Sequence, residues 1–350
     1  MQDATAAVFH GPDKPFEFQT FPLPDLRAGE ALVKIQAATL CGSDLHTIKG
    51  RRQEPVPCIL GHEAIGQVLA VGSPAPTDIE ARILQVGDTV AWSPIVSCNE
   101  CDRCRKGFPQ KCRSLFKYGH RCLTDQGNLA GNLATHIHLR AQSAIVRLPE
   151  SADPRVFSPV SCATATVMAA ARAAGPLAGK RVLIVGGGML GLTACAVATA
   201  QGADTVAVAD QNRQRLDLAS NFGATERWEP AQAGSYHHSY DTILEMTGAA
   251  AAVEGCLELA DIGATMVLVG SVLPTEVTWN AETLVRKCLT TVGVHNYVPH
   301  DLLAARDFLL QNQSRFPFAE MVEGSFSLHQ LRSAVEFANQ QRPFRVMLLP

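Results

Sequence analysis

The sequence predicts an α/β protein of two parts, a β-rich stretch over residues 1–153 and a doubly wound parallel sheet over 154–295. A tail, 296–350, is expected to return to the first part. Two observations carry this reading. Before residue 153 the chain runs in short alternating or β-branched segments such as EALVKIQAATL, IGQVLAVG and VGDTVAWSPIV, each ended by a turn signal. From about Val156 strands alternate with helix candidates, the pattern that lays strands parallel with helices over the sheet. A chain of 350 residues is also too long for one small core and suits about two domains.

Taken in order, FSPVSCATATVMAAARAAG reads as a helix rich in small residues. AGKRVLIVGGGMLGLTACAVATAQGADTVAVAD follows as strand, glycine turn, helix and strand. DTILEMTG, AAAVEGCLELADIG and TMVLVGS continue as strand, helix and strand. In the tail, DLLAARDFLLQNQ and SLHQLRSAVEFANQ have the spacing of amphipathic helices.

Composition narrows the function. Apolar residues make up 47% and charged residues 18%, a globular balance. A net charge of −3 gives no electrostatic reason to expect nucleic acid or an anionic membrane as partner. Val182 to Ala200 is uncharged, as long as a membrane span, but four early glycines and many small residues fit a buried strand, turn and helix better. MQDATAAVFHGPDK lacks the basic leader and apolar run of an export signal, so the expected location is the cytoplasm. There, eleven cysteines point to metal ligands, a reactive thiol or small buried residues rather than to disulfides.

Gly186, Gly188 and Gly191 in VGGGMLG match the G-x-G-x-x-G pattern, with a β-branched strand before and a helix after. The first glycine permits the turn, the second lets a pyrophosphate approach the backbone, and the third brings helix and strand together. Asp210 ends the next strand, where a carboxylate accepts from both ribose hydroxyls and repels a 2′-phosphate. That favours NAD over NADP, although Arg213 and Arg215 follow and either suits a phosphate; for Arg213 a solvated helix start serves equally.

CNECDRCRKGFPQKC puts Cys98, Cys101, Cys104 and Cys112 within one short segment. Four thiolates at that spacing wrap one tetrahedral zinc at about 2.3 Å and leave no position for a substrate. Arg103, Arg105, Lys106 and Lys111 offset the resulting negative charge, and disulfides or an iron–sulfur site remain as rivals. An open site needs about three protein ligands. CGSDLH and GHE offer Cys41, His46, His62 and Glu63 for it, with Cys162 as a further thiol.

These ordered features resemble, nearly end to end, the zinc-dependent medium-chain alcohol dehydrogenase family. The resemblance implies a GroES-like β-barrel catalytic domain completed by the C-terminal tail, a structural-zinc lobe at 98–112 and a Rossmann NAD-binding domain. It makes Cys41, His62 and Cys162 the catalytic zinc ligands, with Asp44 holding the His62 imidazole from behind. Glu63 would sit behind the metal, able to approach it during ligand exchange. Ser43 would take the alcohol proton and pass it through the cofactor ribose to His46. Thr166 and Leu190 would lie near the nicotinamide. The implied reaction is hydride transfer from a zinc-bound alkoxide to NAD+, with a small-molecule alcohol as substrate and a homodimer or homotetramer as the assembly.

More narrowly, FHGPDKPFEF, TLCGSDLHT, SLFKYGH and SCATATVMAA are similar to a bacterial group of alcohol dehydrogenases associated with phosphonate catabolism. Lys117, His120 and Arg121 would then meet a phosphonate or other anion, the alternative being solvated loop charges. The rivals are a polyol or amino-alcohol dehydrogenase of the same mechanism and a non-catalytic nucleotide-binding structural or sensing protein. Cys58, Cys122, Cys195, Cys256 and Cys288 read as buried small residues, and His237 and His238 as surface. His136 and His138 alternate on one strand face.

Overall fold

A computed structural model describes residues 3–123, 129–230, 239–271, 274 and 276–350. His237 and His238 lie outside the described residues. The chain divides into two compact units. One comprises Met1–Ala165, Val298–Gln311 and Phe318–Pro350, the other Thr166–Tyr297 and Asn312–Pro317.

The first division therefore falls inside the helix Ala163–Ala174 rather than at 153. Its physical reason is packing: Phe157 and Val160 are fully buried, and Ser161 Oγ donates to the His62 carbonyl at 3.3 Å. The tail also differs from a single returning segment, since Asn312–Pro317 belongs to the second unit, where Phe316 stacks on Phe222.

The first unit is β-rich. Its centre is the strand Ala31–Leu40, which exposes only Lys34 and Gln36. It pairs antiparallel with Ala64–Val71, with His136–Leu139 and with the last strand, Arg345–Leu349. That last strand also runs parallel to Val322–Ser327. A smaller sheet joins Ala4–Phe9 to Glu17–Phe21 and Cys58–Ile59, and both sheets share one apolar core holding Trp92, Tyr118 and Leu133. The short strands Ile95–Val96 and Phe116–Lys117 pair antiparallel and close the base of the four-cysteine segment.

In the second unit the described residues form a six-stranded sheet in which every pairing is parallel. Counted in chain order from Arg181–Val185, its strands lie 3-2-1-4-5-6, the doubly wound Rossmann arrangement. The order reverses between Arg181–Val185 and Tyr240–Glu245, so the crevice beyond the carboxyl ends of these strands is the ligand position for such a sheet.

Two predicted helices are shorter than the sequence pattern suggests. In FSPVSC a short helix, Pro154–Phe157, gives way to a tight turn over Ser158–Ser161, where Pro159 brings no N–H to the ladder, and the longer helix starts only at Ala163. AAAVEGCLELADIG stops as helix at Leu259, and Ala260–Leu268 is already strand. No helix among the described residues is long and apolar enough to cross a membrane.

Candidate functional site

Sγ of Cys41, a ring nitrogen of His62, a carboxylate oxygen of Glu63 and Sγ of Cys162 all lie within 4.8 Å of one another. Three separate pieces of the first unit deliver them. Cys41 follows the central strand and precedes the helix Gly42–Ile48, His62 and Glu63 precede the strand Ala64–Val71, and Cys162 ends the turn before the helix Ala163–Ala174. Gly61, at φ +91°, allows the approach, since a Cβ there would sit 3.0 Å from the Leu133 nitrogen.

Cys41 and Cys162 have their sulfurs 3.9 Å apart. Two sulfurs on one tetrahedral zinc at about 2.3 Å stand roughly 3.8 Å apart, so the pair is spaced for a shared metal. The chemistry agrees. Hydrogen bonding from Cys162 pulls Cys41 far below the ordinary thiol pKa, and the same bond with burial pushes Cys162 up. Two thiolates this close need a cation between them.

His62 presents Nε2 to the cluster, 3.4 Å from Ser43 Oγ. Its Nδ1 lies 3.3 Å from Asp44 Oδ1, close enough for ionic attraction but without the alignment of a good hydrogen bond. Burial works to lower the imidazole pKa, and Asp44 and Cys41 outweigh it. Asp44, itself buried, is fixed because its Oδ2 accepts from the Cys41 backbone N–H at 2.9 Å. His46 lies half-buried near the end of the same helix, and burial together with Arg51 lowers its pKa.

Glu63 is engaged elsewhere. Arg345 donates to it twice, Nε to Oε2 and Nη2 to Oε1, each at 2.7 Å, and Thr39 Oγ1 donates to Oε2 at 2.6 Å. Burial raises the Glu63 carboxyl pKa and Arg345 opposes the rise. Arg345 Nη2 also lies 3.5 Å from Cys41 Sγ, setting a fixed positive charge beside the thiolate. Sequence reasoning missed Arg345 and Thr39. A single arginine opening an apolar strand, FRVMLL, reads as a solvated strand end, and only the pairing of the last strand with Ala31–Leu40 reveals its partner.

Cys98, Cys101, Cys104 and Cys112 also converge within 4.8 Å. The sulfurs stand 3.3 Å apart for Cys98–Cys112, 3.5 Å for Cys101–Cys104 and 4.0 Å for both Cys98–Cys104 and Cys101–Cys112. All four are free thiols, and these spacings bracket the roughly 3.8 Å of a tetrahedral zinc–sulfur site. Backbone N–H groups of Cys98 and Cys101 donate to Cys112 and Cys98 sulfurs, which prepares the lobe for thiolate charge.

Beyond the lobe, Lys117 is half-buried and the charges of Cys162 and Asp44 act on it. His120 is buried, its Nδ1 2.9 Å from Glu54 Oε1, and burial pushes its pKa down to about 4. Arg121 is exposed and lies over the Phe116 ring. The alternating pair takes structural partners instead: His136 meets Thr135 Oγ1 at 2.9 Å and His138 meets Glu30 at 3.0 Å. Cys58, Cys195 and Cys256 are buried, whereas Cys122 is half-buried and Cys288 is exposed, because Cys288 sits at φ +52° on a turn between helix and edge strand.

In the second unit the glycine turn is built for close approach. A Cβ on Gly191 would fall 1.7 Å from the Gly186 carbonyl oxygen, so no side chain fits. At Gly188, which caps the helix Met189–Ala200, a Cβ would meet nothing nearer than Arg215 Nη1 at 4.0 Å, leaving the helix N-terminus open to a phosphate. Asp210 accepts from the Gly187 N–H at 2.6 Å and the Asn212 N–H at 2.7 Å, with Arg215 Nη1 3.8 Å away. Leu190 is half-buried on the first turn of that helix, and Thr166, also half-buried, is the first residue of this unit.

Comparison with known proteins agrees with this architecture. The family described as Alcohol dehydrogenase GroES-like domain matches residues 27–150, and that described as Zinc-binding dehydrogenase matches residues 190–311. An L-threonine 3-dehydrogenase of Edwardsiella ictaluri is 31% identical, over 71% of this chain and 72% of its own length. A 5-exo-hydroxycamphor dehydrogenase of Pseudomonas putida is 29% identical over 96% of both chains. Among solved structures, an alcohol dehydrogenase of Thermotoga maritima aligns over 100% of both chains with a TM-score of 0.92 and 27% identity. The non-catalytic alternative falls away, and the chain is an oxidoreductase that belongs to the zinc-dependent medium-chain alcohol dehydrogenase family.

Proposed function

We propose that this protein oxidises a small alcohol with NAD+, with Cys41, His62 and Cys162 holding a catalytic zinc and Cys98, Cys101, Cys104 and Cys112 a structural one. One observation carries the reading: of four candidate ligands gathered within 4.8 Å, Glu63 is occupied by Arg345, which leaves three donors and an exchangeable position. Bound zinc lowers the pKa of a hydroxyl it holds, and NAD accepts the hydride. The chain supplies the rest. Ser43 Oγ, beside His62 Nε2, is suited to take the hydroxyl proton, and the half-buried His46 to release it towards water. Asp44 keeps the imidazole turned so that Nε2 faces the cluster, and Arg345 holds Glu63 behind it.

Gly186, Gly188 and Gly191 take the pyrophosphate, and Thr166 and Leu190 border the nicotinamide. Asp210 favours NAD over NADP, while Arg215 beside it tempers the preference. The edge strand Thr290–Gly293 is largely exposed, which supports a homodimer or homotetramer formed by edge pairing; sedimentation checks it. An amino-alcohol substrate is favoured as a second reading by the threonine dehydrogenase relatives, and a hydroxyalkylphosphonate or other anionic alcohol by the cation Lys117.

The test is NAD+ reduction across simple alcohols, polyols, amino alcohols and hydroxyalkylphosphonates, with zinc measured on the same sample. Turnover with about two zincs per chain is expected. Protein that binds both metals and NAD yet turns over no alcohol of any class sinks the proposal.

A further inference from the structure

We infer that Lys117 is the anchor for an anionic group on the substrate, which makes the substrates small alcohols bearing a carboxylate, phosphate or phosphonate. The inference rests on the dehydrogenase reading, since it deepens the account of the same site.

Lys117 has no hydrogen-bond or ion-pair partner among the described residues, although its side chain is half-buried. A partly desolvated ammonium without a partner is costly and persists where a ligand completes it. The carboxylates around it are committed. Glu54 Oε1 is paired with Arg52 Nε at 2.9 Å, and His120 Nδ1 lies 2.9 Å from it without the alignment of a hydrogen bond. Asp44 holds the Cys41 N–H and faces His62. Arg52 offsets the charge of Glu54, so that pair adds no net charge beside Lys117.

Position gives that charge its use. Lys117 sits close enough to Cys162 and Asp44 for their charges to act on it, and His120 three residues on stacks 5.6 Å from His62. The backbone between them is locked to the metal set: a Cβ on Gly119 would lie 2.5 Å from the Gly61 carbonyl oxygen, and the Gly119 N–H donates to the Ala130 carbonyl at 2.7 Å. An alcohol seated on the three ligands therefore brings its far end towards the Lys117 side chain. Burial and the neighbouring Arg52 bring the ammonium pKa down to about 8, so it is still charged at neutral pH. Of the three residues suspected from sequence, Lys117 is the one that fits: His120 is buried between Glu54 and the His62 ring, and Arg121 lies over Phe116 in solvent.

A lysine is a point charge that suits carboxylate and phosphonate alike, and the test separates them. Zinc-loaded wild type, K117M and K117R are assayed on 3-hydroxypropanoate, 2-hydroxyethylphosphonate and 1-butanol, and titrated calorimetrically with acetate and methylphosphonate. For K117M, kcat/KM on the preferred anionic alcohol falls about 10–100-fold relative to 1-butanol, chiefly through KM, and K117R recovers part of it. Whichever of acetate and methylphosphonate binds wild type names the anion, and that binding is lost in K117M. An unchanged ratio, or a loss shared equally by 1-butanol, overturns the inference. Should no alcohol be turned over while methylphosphonate or acetate binds wild type and not K117M, the dehydrogenase reading fails and the anchor stands.

Discussion

The four-cysteine lobe and the core set are both built on thiols, and they differ in how the chain reaches them. The lobe takes all its thiols from residues 98–112, on a small loop closed by the paired strands Ile95–Val96 and Phe116–Lys117. The core set draws on positions 41, 62 and 162, and its outer support, Arg345, comes from the last strand. Short loops cost little to close, so a metal can organise the lobe almost alone. The core set exists only once the surrounding sheets have folded. Saturation differs as well. The lobe offers four thiols to a metal, whereas the pairing of Glu63 with Arg345 leaves the core set with three uncommitted candidate donors.

Breaking the core set gives the largest effect expected. His62→Ala should lower alcohol turnover by at least about a thousandfold and remove one zinc per chain while the lobe keeps its own, seen by NAD+ reduction beside metal analysis. Survival of turnover would merge the two sites into one structural class. Next, Arg345→Met strands Glu63 as a buried unpaired charge and should cost about 3–5 kcal/mol in chemical denaturation, with Glu63→Gln in the same chain recovering a large part. Equal stability of the single and double variants would show that the pair does not support the site.

Cys104→Ser tests the other side of the comparison. It should release the lobe zinc and open residues 98–112 to protease, with a smaller loss of turnover than any core variant. Because Lys117 ends the ribbon that closes the lobe, the loss should fall more heavily on anionic alcohols than on 1-butanol. The smallest effect is one of pH. Below about 8 the Lys117 ammonium is charged and holds an anion; as pH rises through that value it loses its proton. KM for the anionic alcohol should climb there while KM for 1-butanol does not, and parallel profiles would detach Lys117 from the site.

The same contrast explains what could be read from the sequence. The lobe is legible because its chemistry and its spacing occupy one segment. The glycine turn is legible for the same reason, as are the parallel strands around it. Cys41, His62 and Cys162 needed the family resemblance to be grouped, since no local spacing joins them. Arg345 was invisible. Its role depends on Val346, Met347 and Leu348 lying against Leu40, Thr39 and Ala38, a register that periodicity at either end of the chain does not specify. The domain boundary slipped for a related reason: residues 154–165 have helical texture but belong by packing to the β-rich unit.

The pairing of the last strand with Ala31–Leu40 also sets an order of events during synthesis. At about 5–20 residues per second the ribosome needs on the order of tens of seconds between delivering the first strand and delivering its partner. Throughout that interval one edge of the strand's far end lacks its neighbour, and Glu63 has no Arg345 guanidinium to meet it. The second unit, by contrast, has its sheet strands complete by Gly293 and can close first. A nascent chain therefore carries a finished nucleotide-type sheet before it owns a finished metal site, and a ribosome that stops short of Arg345 releases a protein shaped to hold the cofactor without the charge that steadies the chemistry.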